Sequence, residues 1–186
     1  MDAIVFFDSK IKGTIQLHQC TDMSPTIFLL NLKGFKPLTI HAIHIHEFGN
    51  LTKGCHSTGG HYNPLNQNHG FQYPRKHVGD LINNITSNKS GNIRLSFTDN
   101  VIKIRDVLGR AIVIHDLPDN YGLKGLNGVA YKNMKTDTLR KLAIARNYFT
   151  RNENPNRKKL VKKLQAESLK TGNAGGRMAC AIIGIN

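Results

Sequence analysis

The chain has 186 residues and 39% of them are apolar, which predicts a single domain with a substantial core. No run approaches the roughly 18 to 20 apolar residues that a membrane-spanning helix needs, and the N-terminus has no basic region followed by an apolar stretch. We therefore expect a cytoplasmic protein without a signal peptide or a transmembrane segment. The net charge is +14, and residues 129–165 hold +9 of it, through eleven Lys or Arg against two acidic residues.

Short apolar runs separated by turn residues follow one another along most of the chain. The clearest alternation, at residues 92–97, comes directly after an Asn-Lys-Ser-Gly turn of the kind that joins two strands of a hairpin. Many short strands are typical of an all-β sandwich or barrel, in which half of each strand's side chains fill the interior. The predicted strands span residues 3–7, 14–18, 26–32, 39–47, 81–86, 92–98, 101–104, 110–116 and 178–185.

Residues 129–165 interrupt this pattern. Apolar residues within 139–149 and 160–164 loosely fit a helical period, and an Asn-Glu-Asn-Pro-Asn segment at 152–156 breaks it. Two structures stay open here, a pair of short basic helices joined by a turn or a mobile loop. Three roles stay open for the charge: attraction of an anionic substrate, weak contact with nucleic acid, or a solvated segment without a role.

The residues with the clearest chemistry lie between positions 44 and 80. Because strand side chains alternate faces, His44 and His46 project to the same side of the strand predicted at 39–47. Imidazole nitrogens with one carboxylate are ligands for zinc or copper, and a cluster of imidazoles alone suits copper. A single surface histidine usually has no function, but five of the six histidines within residues 44–77 together favour two metal ions close together. The loop residues that complete this set are His61, His69, His77 and Asp80.

Other chemically capable residues have an ordinary interpretation when taken singly. His41 shares the strand face of Ile43 and Ile45, so we expect a hydrogen-bonded structural histidine rather than a ligand. Taken singly, His115 is interpreted as a packed or capping histidine and Asp119 as a turn aspartate. Arg177 is interpreted as a solvated arginine, and His18 and His56 as surface histidines.

Four segments together resemble the copper-zinc superoxide dismutase family. They are His-Ile-His-Glu-Phe-Gly at 44–49, Gly-Cys-His-Ser-Thr-Gly-Gly-His-Tyr-Asn-Pro at 54–64, His-Val-Gly-Asp-Leu at 77–81 and Gly-Asn-Ala-Gly-Gly-Arg-Met-Ala-Cys at 172–180. The resemblance covers nearly the whole chain and implies an eight-stranded Greek-key β-barrel with a long metal-binding loop and a long electrostatic loop. Residues at about 129–165 would be a basic insertion in the electrostatic loop of this single domain.

The resemblance also implies a ligand set. Copper would be bound by His44, His46, His61 and His115, and zinc by His61, His69, His77 and Asp80. The shared His61 would bridge the metals as an imidazolate, and Asp119 would join His44 to His69 as an outer carboxylate.

The reaction implied is disproportionation of superoxide to dioxygen and hydrogen peroxide, with copper alternately reduced and oxidised. Arg177 and His61 would be catalytic, with Arg177 orienting the anion, while Lys170 and Thr171 would guide it at the rim of the channel. The alternative is a non-catalytic homologue that binds copper and zinc as a carrier or decoy. Such a protein is expected to lose a copper histidine or the arginine, and all of them are present.

Three cysteines cannot all pair within one chain, and reduced thiols are the default for a cytoplasmic protein. The resemblance implies instead a disulfide between Cys55 and Cys180, which leaves Cys20 as a free thiol. We expect the Cys20 side chain to be buried and to pack as a small apolar group rather than to react. It further implies a homodimer formed through the last strand and the Phe48-Gly49-Asn50 segment, and a copper chaperone as a partner.

Overall fold

The computed structural model describes residues 1–71 and 76–186. Its strands are β1 Asp2–Asp8, β2 Lys12–His18, β3 Thr26–Lys33, β4 Ile40–His46, β5 Thr52–Cys55, β6 Asn84–Thr86, β7 Asn92–Asp99, β8 Ala111–His115, β9 Gly125–Leu126, β10 Val129–Ala130 and β11 Arg177–Ile185. Its helices are α1 Ile104–Val107, α2 Thr136–Ala145 and α3 Arg157–Thr171. None of the helices in the described residues is long and apolar enough to span a membrane.

Eight of the strands form one antiparallel sheet in the order β6-β4-β8-β11-β1-β2-β3-β7. The sheet curls into a nearly closed barrel, because its two edge strands, β6 and β7, are joined by the turn at residues 87–91. The pairing of β4 with β8 and of β1 with β11 requires long crossovers, as in a Greek key. The predicted eight-stranded barrel is confirmed.

Burial along the strands shows why the sequence forms this barrel. In β3 the residues alternate strictly, so that Phe28, Leu30 and Leu32 point into the core while the residues between them face solvent. Strand β4 differs because all residues from His41 to His46 are buried. Its apolar side chains Ile43 and Ile45 belong to the barrel core, while His44 and His46 lie on the other face beneath the loops.

Two strand predictions need correction. Residues 101–104 do not form a strand, because the Asp99 carboxylate accepts hydrogen bonds from the backbone N–H groups of Val101 and Ile102, at 2.7 and 2.9 Å, and turns the chain into α1. The run at 81–86 shortens to Asn84–Thr86, since Leu81 and Asn83 have positive φ angles of 39° and 62°.

Cys20 is also corrected. It is a free cysteine, as expected, but it is exposed rather than buried. It lies beyond the end of β2, where its sulfur is 3.4 Å from Nε2 of His18. His18 and His56 are exposed, as predicted.

The basic segment contains two helices, so it forms the predicted pair of helices and not the mobile loop that the sequence also left open. Helix α3 is capped at its N-terminus by Asn156, whose side chain accepts a hydrogen bond from the N–H of Lys159, and at its C-terminus by Gly172 in the left-handed conformation. The helices share a second hydrophobic cluster, separate from the barrel core, made of Tyr131, Met134, Leu139, Ala143, Leu160 and Leu164.

Candidate metal centre

Three of the predicted ligands are placed by the barrel itself. His44 and His46 lie on β4, and His115 ends β8, the strand that pairs with β4. The ring of His115 lies 5.1 Å from that of His44 and 5.6 Å from that of His46, measured between centroids. This register explains how a residue about 70 positions away in the sequence joins the first two.

His61 comes from the loop and is fixed to the same strand. It forms a β-bridge with His46, and the N–H of the next residue, Tyr62, donates a 2.8 Å hydrogen bond to the carbonyl of Ile45. Its ring stacks on that of His44 at a centroid distance of 3.9 Å. The first group is therefore complete, with one ring nitrogen from each of four residues within 4.8 Å of one another: His44, His46, His61 and His115.

Five nitrogens of this first group lack hydrogen-bond partners among the described residues. The unpaired atoms are Nδ1 of His44, Nε2 of His46, Nε2 of His61 and both nitrogens of His115, and the four side chains are buried. Leaving a buried polar atom unpaired costs about 1 to 3 kcal/mol. A cation that accepts four imidazole lone pairs would remove that cost, and imidazole ligands suit copper. The residues therefore fit a copper ion.

A second group converges on the carboxylate of Asp80. Its Oδ1 lies 2.9 Å from Nδ1 of His61, 2.9 Å from Nδ1 of His69 and 3.1 Å from Nδ1 of His77. Nδ1 of His77 is also 3.4 Å from Nδ1 of His61. Three imidazoles and one carboxylate form a common zinc site. His61 belongs to both groups, with Nδ1 in this one and Nε2 in the first.

A short helical turn, Val78–Asp80, brings Asp80 to this position. The turn rests on β4 so closely that a Cβ atom on Gly79 would lie 2.3 Å from the carbonyl oxygen of Ile45. Oδ2 of Asp80 accepts from the backbone N–H groups of His77 and Gly70, at 2.9 and 3.2 Å. The carboxylate is therefore oriented before any metal binds.

Asp119 connects the two groups. Its side chain is fully buried, and its carboxylate lies 2.7 Å from Nε2 of His44 and 2.9 Å from Nε2 of His69. Asn83 donates a further hydrogen bond to it at 3.3 Å. Sequence reasoning did not identify Asn83, because a single asparagine in a turn carries no pattern that marks this contact.

Burial sets the protonation of the first group. It lowers the pKa of His44 to about 4 and those of His61 and His115 to about 3, so these rings are neutral at pH 7 and their lone pairs are available. His69 behaves differently. Burial opposes its charged form, but hydrogen bonds to Asp119 and Asp80 outweigh burial and raise its pKa to about 9.

Arg177, at the start of β11, lies beside the first group. Its guanidinium donates to the carbonyls of Cys55 and Gly59 at 2.7 and 2.6 Å and to the hydroxyl of Thr58 at 3.0 Å. Burial is the main cause of the lowered pKa of His46, and the charge of Arg177 contributes to it. The disulfide between Cys55 and Cys180 is present, which confirms the predicted pairing.

Lys170 and Thr171 are the last two residues of α3. They line an open cavity of about 360 Å³ together with His61 and His77. His41 is hydrogen-bonded, with Nδ1 2.8 Å from the carbonyl of His115 and Nε2 2.8 Å from the hydroxyl of Thr39, as expected for a structural histidine.

Comparison with known proteins gives a consistent result. The family model described as copper/zinc superoxide dismutase matches residues 11–140. Relatives named superoxide dismutase [Cu-Zn] are 36% identical in Humicola lutea, over 98% of this chain and 96% of the relative, and 34% identical in Paramecium bursaria Chlorella virus 1, over 99% and 78%. A crystal structure of the clock protein EA4 is similar, with a TM-score of 0.72, 29% identity and coverage of 100% of this chain and 94% of that one. The chain belongs to the copper/zinc superoxide dismutase family.

Proposed function

We propose that this protein disproportionates superoxide, with copper held by His44, His46, His61 and His115 and zinc held by His61, His69, His77 and Asp80. The observation that carries the proposal is the single ring of His61, whose two nitrogens face two different ligand groups. Copper, when bound, would supply the one-electron acceptor and donor that converts one superoxide to dioxygen and a second superoxide, with two protons, to hydrogen peroxide.

The residues around the site have separate tasks. Arg177 is held by three oxygen acceptors, so its positive charge is fixed in place to bind and orient a small anion. Nε2 of His61 is the atom that can hold a proton and pass it to the reduced product, because Nδ1 is occupied by the Asp80 group. Asp119 keeps His44 and His69 in orientation through their Nε2 atoms.

The assignment is tested by counting copper and zinc per chain and by measuring superoxide consumption. In His115→Ala we expect copper to fall while zinc is retained, and in Asp80→Asn we expect zinc to fall. The matched control is His56→Ala, which removes an exposed histidine outside both groups. Retention of copper by His115→Ala, or an equal loss in His56→Ala, would refute the assignment.

The same measurements separate the enzyme from a non-catalytic carrier. A carrier or decoy would bind both metals and consume no superoxide above buffer. We expect such a protein to have lost a copper histidine or Arg177, and all of these residues are present in this chain. The family relationship and the complete set of residues favour the enzyme.

We further propose a homodimer that uses the exposed apolar surface at one edge of the barrel. Phe48 and Ile182 are 50% and 42% exposed, and Gly49 lies against the side chain of Ile182, which makes the two regions continuous. Ile182→Asp should convert a dimer to a monomer in light scattering after size-exclusion chromatography. A wild-type monomer would contradict the proposal. The copper chaperone stays a prediction from the family resemblance, and the cytoplasmic location stays a prediction from the sequence.

A second candidate role, weak contact with nucleic acid, is supported by the charge of α3. Leu160 and Leu164 face the second hydrophobic cluster, while Lys158, Lys159 and Lys162 are exposed on the opposite side. The apolar face is already covered, so the helix has none free to enter a lipid surface. A helix of this length, about 22 Å, can place its lysines along several phosphates.

Retention on immobilised duplex DNA tests this role. Changing Lys158, Lys159 and Lys162 to Gln should reduce retention and flatten its dependence on salt, by a slope of about 0.9 for each phosphate that the helix no longer neutralises. The control makes the same change in charge on the barrel, at residues 10, 36 and 89, which are also exposed lysines. Equal reductions in both variants would mean that only net charge matters and that α3 is not the interface.

A further inference from the structure

The end of helix α3 touches the metal centre at two points. The carbonyl of Leu169 accepts a 2.7 Å hydrogen bond from the backbone N–H of His69. Gly172, which ends the helix, lies directly against Asp119, so that a Cβ atom there would be 2.3 Å from the carboxylate. The helix therefore limits the positions of both the ligand backbone and the carboxylate that connects the two groups.

Tyr131 joins the chain segments that meet at this point. Its hydroxyl accepts hydrogen bonds from Nδ2 of Asn120 and Nδ2 of Asn173, both at 2.8 Å. Asn120 directly follows Asp119, and Asn173 directly follows Gly172. The N–H of Asn120 also donates to the carbonyl of Gly172 at 2.8 Å. One hydroxyl therefore fixes both neighbours of the contact between Gly172 and Asp119.

The other groups around this hydroxyl are also paired. Oδ1 of Asn120 accepts from the hydroxyl of Ser168 at 3.0 Å, and Oδ1 of Asn173 accepts from the hydroxyl of Tyr148 at 2.8 Å. Tyr131, Ser168 and Asn173 are completely buried. A buried hydrogen-bond network of this kind is rigid, because each partner is costly to lose.

The ring of Tyr131 belongs to the second hydrophobic cluster, with Leu139, Leu160 and Leu164. Its ring thus lies in the core of the basic helical segment, while its hydroxyl holds the residues beside the metal centre. Residues 129–165 are therefore linked through Asn120 and Asn173 to the contact between Gly172 and Asp119, beside the group that we assign to zinc.

We propose that Tyr131 is a positioning residue for the metal centre, and that through it the helical segment clamps Asp119 and His69 and slows the release of zinc. The inference rests on the zinc assignment made above. Groups that orient ligands from outside the coordination sphere change metal affinity by about 10- to 100-fold when they are removed. Loss of the Tyr131 hydroxyl should give an effect in that range, since one N–H of each amide would lose its acceptor and only the bonds to the carbonyls of Gly125 and Leu164 would remain.

The test compares Tyr131→Phe with the wild type, both loaded with copper and zinc. We expect zinc to transfer to an excess of a chromogenic chelator at least about tenfold faster in the variant. Cobalt placed in the zinc site should show altered visible absorption bands, because the orientation of His69 changes. A variant that releases zinc within threefold of the wild type and has the same cobalt spectrum would overturn the proposal.

Leu160→Ala is the matched control, because it opens a cavity in the same cluster without removing a polar contact. If the clamp acts through the hydroxyl, Leu160→Ala should lower the urea midpoint more than Tyr131→Phe does and leave zinc release within threefold of the wild type. If zinc release in the two variants simply follows their decrease in stability, the positioning role is wrong. A wild type that takes up no zinc would instead refute the site assignment itself, so the two failures are distinguishable.

Discussion

Removal of the Cys55–Cys180 disulfide should affect both the stability and the activity of this enzyme. The bond joins the loop after β4 to the middle of β11, across 125 positions of sequence. In the chain-entropy description a closed loop of that size stabilises the folded state by about 5 kcal/mol. For a chain of this length, that difference corresponds to a fall in the unfolding temperature of roughly 10 to 20 °C.

The same bond also acts on the site. The carbonyl of Cys55 is one of the three oxygen acceptors that hold the Arg177 guanidinium, and the other two come from Thr58 and Gly59 in the same short segment. When the disulfide is absent, the hydrogen bonds of Arg177 still hold this segment to β11, but the covalent link is lost. We therefore expect weaker substrate attraction as well as lower stability.

The assay is guanidinium unfolding of the double variant Cys55→Ser, Cys180→Ser, with superoxide consumption measured on folded samples of equal copper and zinc content. Cys20→Ser is the control, because that thiol is exposed and unpaired, and it should leave both quantities unchanged. Wild-type protein treated with a reductant should match the double variant. A decrease in stability below about 1 kcal/mol would refute the loop-entropy reasoning for this chain.

Three further predictions concern the site. Arg177→Ala should lower kcat/KM by about tenfold or more and weaken the dependence of kcat/KM on salt. Arg177→Lys should restore only part of kcat/KM, because an ammonium lacks the forked donor geometry of a guanidinium. An unchanged kcat/KM in Arg177→Ala would remove Arg177 from the mechanism. Asp119→Asn should weaken zinc binding by about 10- to 100-fold in chelator competition, since His69 loses its anionic partner, and unchanged affinity would count against the link. In protein stripped of metal by a chelator, the free energy of unfolding should decrease as the pH falls from 6.5 towards 4. In the folded state the pKa values of His44 and His61 are about 4 and about 3, below the value of about 6.5 in the unfolded chain. As the pH falls, the unfolded chain therefore binds protons first, and the free energy of unfolding decreases by about 1.4 kcal/mol per pH unit for each group. Urea midpoints that do not change between pH 7 and pH 5 would contradict this reasoning.

Local pattern in the sequence was sufficient for the barrel and for part of the site. A period of two places His44 and His46 on one face and His41 on the other, whatever the strand pairs with. The turn residues between short runs indicated the strands, and the breaker at 152–156 correctly separated two helices. Local pattern was wrong where a side chain redirected the backbone, as the Asp99 carboxylate does at residues 101–104. It was also wrong about Cys20, because the exposure of a residue beyond a strand end depends on what the rest of the fold covers.

Residue types and their spacing by themselves determined which donor atoms are available and that a metal is needed to satisfy them. The tertiary structure decided which of those atoms meet. His115 reaches the first group only because β8 pairs with β4 in one register, and Cys180 reaches Cys55 only because β11 lies beside that loop. The contact of α3 with His69 and Asp119 was invisible in the sequence, since helical periodicity predicts which face is buried but not what that face or the end of the helix is packed against.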